Sequence, residues 1–232
     1  ADRGHGLSRA AGWLLLGWLH WMGVSLGLWR NALPPLLLLL LFMVILGRLA
    51  WAGQRREMAA FWCTHKRLIL GQEALFAGAY LFFVLVRLLN PDLWHPWNGG
   101  EKFMDFAFLN ATLRSPVFPP YDPYFAGGTV NYYYFGLYLV GLPVRLTGIF
   151  AEVAYNLAVP SLFALAALGV YSVAYSLSAE PRQSGLSGGS AARSGTGGIV
   201  ASLGSSESSP PPAVVGALAV VLTLLLGNLT GL

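Results

Sequence analysis

The chain has 232 residues, 56% of them hydrophobic and 10% charged, with a mean hydropathy of +0.59. A soluble domain of this length does not carry so little charge, so composition excludes that class and predicts an all-α, polytopic bundle of transmembrane helices. The net charge of +4 comes from basic residues scattered singly apart from one short cluster, which fits a positive-inside membrane bias and excludes nucleic acid as an expected partner.

Cys63 is the single cysteine, so no disulfide closes within the chain and no thiolate metal cluster forms. The chain opens at Ala1 without a methionine and stops at Leu232 inside an apolar run, and it is expected to be part of a longer one. No cleavable signal peptide is expected, because the first apolar segment is followed at once by another.

A helix needs about 20 mostly apolar residues to cross the hydrocarbon core. That rule gives about six spans: 11–29, 33–51, 68–89, 130–150, 153–177 and 213–232. Three of them fill the region 1–90, two fill 130–177, and the last is 213–232. Segment 91–129 is then a large loop, and 178–212, rich in Ser, Gly and Pro, is a flexible tether whose composition cannot bury enough apolar surface to order it.

The first span is the weakest, diluted by His20 and several glycines, while Pro34 and Pro35 sit in the opening turn of the second, where a missing N–H costs little. Arg48, Arg55, Arg56, Lys66 and Arg67 cluster around the link between spans two and three against a single Glu57, which marks that link as a cytoplasmic loop. By parity the amino terminus and the link 148–152 lie inside, and the loop 90–129 is extracytoplasmic.

That outer loop holds the candidate chemistry. After Gly99 and Gly100, Glu101 to Arg114 reads as a short interfacial helix stopped by Ser115 and Pro116. Glu101 and Asp105 stand four apart and share a helical face, with Thr112 near it. Such a pair suits either the wet side of an interfacial helix or a general base, with Glu101 and Asp105 also able to hold Mg²⁺ or Mn²⁺. Pro116, Pro119, Pro120 and Pro123 then forbid helix and hold an extended path past Tyr121 and Asp122.

Asn131 leads into Tyr132, Tyr133 and Tyr134, which a helix would splay about 100° apart, so at most two can face one site. They read as an aromatic belt, with Trp94, Trp97 and an interfacial His95, or as groups that stack on a sugar or bond a phosphate. Arg87, one turn from the outer end of span three, can snorkel to headgroups or receive a lipid phosphate, and Glu73 and Arg145 near the inner ends are expected to snorkel. Asn110 with Thr112 and Asn228 with Thr230 match the glycosylation acceptor pattern, and both read as chance matches.

The run GGEKFMDFAFLNATLRSPVFPPYDPYFAGGTVNYYYFG, with the preceding RLLNPDLW and the late GNLTGL, resembles the signature of the YYY-domain family of prokaryotic multi-pass membrane proteins. Its architecture is similar to the C-type glycosyltransferases, which take a sugar from a polyprenyl phosphate and use an acidic residue in the first large external loop. The resemblance implies a polyprenyl-phosphate-linked sugar donor met in the membrane lipid, with Asp105 as base and Glu101 as helper. Arg87, Lys102 and Arg114 are the candidate cations for the leaving phosphate, and Asp122, Asn131 and the three tyrosines the further candidate substrate contacts. A transporter or a non-catalytic membrane subunit is the alternative, and the oligomeric state is not legible.

Overall fold

The computed structural model describes residues 2–91, 102–179 and 210–226. Within these residues seven α-helices follow one another: α1 His5–Ser25, α2 Leu33–Gly53, α3 Arg55–Leu89, α4 Lys102–Arg114, α5 Phe135–Thr147, α6 Ala151–Ala179 and α7 Pro212–Val220, the last running into a π-helical segment Val221–Leu226. The described residues contain no strand, only an isolated bridge between Tyr121 and Thr129. The chain divides into two compact units, 2–169 and 170–232, with the boundary inside α6.

Among the described residues three helices, α2, α3 and α6, are long and apolar enough to cross a membrane, and α1, which covers most of the expected span 11–29, is not one of them. The expected span 130–150 is not among them, because residues 131–134 stay out of the helix and Gly148, at φ 72°, ends it. The 13 residues of α5 rise only about 20 Å, short of a hydrocarbon core of roughly 30 Å. The end of the expected last span lies outside the described residues, as do Trp94, His95, Trp97, most of the tether and the second glycosylation match.

The expected cytoplasmic loop between spans two and three is helix instead. A single residue, Gln54, separates α2 from α3, and α3 runs for 35 residues with one break in helical geometry at His65 (φ −107°, ψ 16°). The reason is local: Arg55 to Leu68 contains no Gly or Pro, so nothing stops the helix from starting early.

In the first unit, α1 and α5 run antiparallel around a core of Leu16, Val24, Leu36, Phe118, Tyr138 and Leu142. Gly17 lets α5 close in, since a Cβ there would lie 2.2 Å from Leu139 Cδ2. His20, fully buried, meets the Tyr138 hydroxyl at 2.7 Å through Nδ1, and Trp21 donates to the Tyr134 hydroxyl at 3.1 Å. The turn between α1 and α2 is tied to the end of α4, where the Asn31 amide donates to Thr112 O at 2.7 Å and Ser115 O at 2.9 Å. In the second unit, Gly216 leaves room for the ring of Tyr171, which a Cβ would meet at 2.8 Å.

The start of α6 lies beside the end of α3. Arg87 donates to Asn156, and Phe83 packs on Phe163 with ring centroids 4.9 Å apart. Parity had put these two helix ends on opposite sides of the membrane. They stand together because α5 is too short to cross, so the chain returns to the end it left.

Candidate functional site

Three helix termini converge on one group of polar side chains. The last turn of α3 supplies Arg87, the first turn of α4 supplies Asp105, and the opening turns of α6 supply Tyr155 and Asn156. The Tyr155 hydroxyl donates a hydrogen bond to the Asp105 carboxylate, and both that carboxylate and the Arg87 guanidinium act electrostatically on the phenol. Phe106 stands edge-on to the Tyr155 ring, 5.8 Å between centroids and 85° between planes. Asn156 accepts from Arg87 and donates to its own helix at Glu152 O, 3.1 Å away. The Arg87 Nε is buried and has no protein partner.

The helix expected from Glu101 to Arg114 is present as α4. Its Asp105 face is not the wet side. Phe108, Leu109 and Thr112, at i+3, i+4 and i+7 from Asp105, are all buried, so the carboxylate lies at the end of a covered stripe. Glu101 falls outside the described residues. Among the described residues no three His, Cys, Asp or Glu side chains gather to hold a metal ion. Of the two metal ligands expected from the sequence, only Asp105 can be placed.

Arg114, Asp122 and Asn131 do not join this group. Lys102 is half-buried one turn before Asp105, near enough to belong to the same end. Arg114 is exposed at the far end of α4, about 14 Å along the axis. Asp122 is used locally: its Oδ1 accepts from Tyr124 N at 2.8 Å, closing the turn of the proline-rich loop. Asn131 is exposed.

The tyrosine triplet precedes α5 rather than forming part of it, and its rings separate. Tyr132 leans on Phe108 at 5.7 Å, Tyr133 is 87% exposed, and Tyr134 packs on Phe118 while accepting from Trp21. Only Tyr132 touches α4 on the Asp105 face. Two expected snorkelling charges are also engaged. Glu73 accepts from His5 and Arg9, and Arg145 donates to Leu113 O at 2.8 Å.

Sequence reasoning singled out neither Tyr155 nor Asn156 as a site residue. A signal was present in the adjacency of the two, one helical turn into an apolar segment, since a Tyr and an amide together at a helix start offer two hydrogen-bonding groups to whatever lies alongside.

An all-helical chain with three membrane-length apolar helices and a polar group where three helix ends meet is an integral membrane protein of the helical class. The model of one family, described as "Uncharacterized membrane protein (DUF2298)", matches residues 15–232, and the chain belongs to that family. No curated protein and no solved structure matches it.

Proposed function

We propose that the chain is part of an integral membrane glycosyltransferase that moves a sugar from a polyprenyl-phosphate donor to an acceptor hydroxyl on the extracytoplasmic side. The observation that carries this reading is the meeting of Asp105 and Arg87 at Tyr155: a carboxylate and a cation fixed together at one end of the membrane helices.

A sugar phosphate already has a good leaving group, so no acid is needed to protonate it, and one base for the acceptor is enough. The acceptor oxygen bonds to the anomeric carbon as the bond from that carbon to the phosphate oxygen breaks. The hydroxyl proton passes to Asp105 and then to water, and the departing phosphate keeps the electron pair. Arg87 faces that charge through the N–H groups that Asn156 does not use. Tyr155 holds the carboxylate in place, and Tyr132 with Phe108 supplies an aromatic flank for the sugar. Mg²⁺ or Mn²⁺ would add charge stabilisation at Asp105, but with one placed ligand no step is routed through it.

The test is sugar transfer from a radiolabelled polyprenyl-phosphate hexose in membranes that hold the protein. Asp105→Asn keeps the hydrogen-bonding shape and removes the base, so transfer should fall by about 10² to 10⁴ while the protein still inserts. Full activity in that variant removes Asp105 as the base.

A second reading, movement of a solute or ion, has its own observation: the buried His20 and Tyr138 pair beside the short helix α5, which contains Pro143. Polar groups on interrupted helices are what transporters use. The two readings separate on His20→Phe, which should abolish transport under the second and leave sugar transfer intact under the first.

A further inference from the structure

The joint between α2 and α3 carries a charged surface that the proposed reaction does not use. Arg55 and Arg56 open α3 before the break at His65, Lys66 and Arg67 follow directly after it, and all four are exposed. Phe61, His65 and Leu68 are the half-buried residues of the same stretch. The one acid of the segment, Glu57, lies 3.9 Å from Arg3. Trp51 at the end of α2 is flanked by Arg48 and Arg55, 5.8 and 5.3 Å from its ring, and both Trp51 and Trp62 are exposed.

What covers this face follows from where it sits. Only Gln54 separates α2 from α3, and both helices are of membrane-crossing length, so the cations are tethered on two sides to the edge of the hydrocarbon. The break at His65 turns the basic turns off the line of the spanning part. Exposed tryptophans beside arginines are side chains that partition to the headgroup layer. A surface of four cations whose one neighbouring acid is taken up by Arg3, held at that level, is complementary to phosphodiester anions.

We propose that this face binds the headgroups of anionic phospholipids, with Arg55, Arg56, Lys66 and Arg67 meeting their phosphates and Trp51 and Trp62 seated between them. The site is independent of the Asp105 group, which lies at the other end of α3.

The test is a titration of the purified full chain in detergent with phosphatidylglycerol or phosphatidylcholine, counting bound lipids by native mass spectrometry. The wild type should retain phosphatidylglycerol in preference, and added salt should erode that preference. Each single change, Arg55→Gln, Arg56→Gln, Lys66→Gln or Arg67→Gln, should weaken retention by about fivefold, and the four together should abolish the preference. Equal retention of the two lipids by the wild type overturns the proposal even if the quadruple variant does not fold. So does an unchanged preference in a folded quadruple variant. Binding of polyglutamate with no binding of phosphatidylglycerol assigns the face to an acidic macromolecule and overturns it as well.

Discussion

Among the described residues Arg87 donates to one partner. Asn156 takes one of its terminal nitrogens, and its buried Nε has no protein acceptor. A guanidinium presents five N–H donors in a fixed fork, so most of its capacity is open to an oxyanion. Arg87→Gln should lower kcat/KM for the polyprenyl-phosphate donor by roughly 10- to 100-fold, the worth of a charge-assisted hydrogen bond. Arg87→Lys should fall between, because it keeps the charge and loses the fork. Donor kinetics unchanged in Arg87→Gln would leave the residue a snorkelling cation and nothing more. Tyr155→Phe should reduce turnover by about tenfold without moving donor KM, since it removes only the hydrogen bond that orients Asp105. Asp105 and Arg87 were legible in the sequence because a charge stands out in an apolar chain. Tyr155 and Asn156 were not, because their role depends on α6 beginning next to α3, and no local pattern encodes that neighbour.

Among the elements, the α1–α2 hairpin shows how close packing substitutes for water release. Inside a membrane, helices associate through small residues that admit a neighbour. Gly23 does this for Trp29, whose Cζ2 and Cε2 would lie 1.9 and 2.3 Å from a Cβ at that position. The obstacle is a rigid indole rather than the end of a flexible chain. Gly23→Ala should therefore expel Trp29 and cost about 1–3 kcal/mol, read as a lower thermal midpoint in detergent. Gly47→Ala, with nothing within 4 Å of its Cβ, should leave the midpoint unchanged or raise it slightly. Equal effects at the two positions would mean that the hairpin is not packed as described. The existence of α2, α3 and α6 was legible from apolar length alone, and α4 from its glycine and proline borders. The shortness of α5 was not, because Val130 to Phe150 is apolar enough to pass for a span and its early residues are diverted by contacts made elsewhere: Tyr132 to Phe108 in α4 and Tyr134 to Trp21 in α1.

At the scale of the whole chain, the short α5 decides on which side of the membrane α6 begins. Positive-inside reasoning and parity put the end of span three outside and the start of the next-but-one span inside. Arg87 bound to Asn156 requires both to be at one end. The two arrangements separate in a cysteine-labelling experiment, because Cys63 is the single native thiol and can be replaced by Ser. Leu89 and Phe150 are 88% and 78% exposed, so a cysteine at either should accept a reagent without disturbing a core. In sealed, oriented vesicles, Leu89→Cys and Phe150→Cys should react with an impermeant maleimide from the same face, and Arg56→Cys, at the far end of α3, from the opposite one. Labelling of the 89 and 150 positions from opposite faces would show that α5 crosses after all, and would separate Arg87 from Asn156 and Tyr155 by the width of the bilayer. Since the proposed chemistry needs Arg87 and Asp105 together at Tyr155, that single result would remove both the topology and the site.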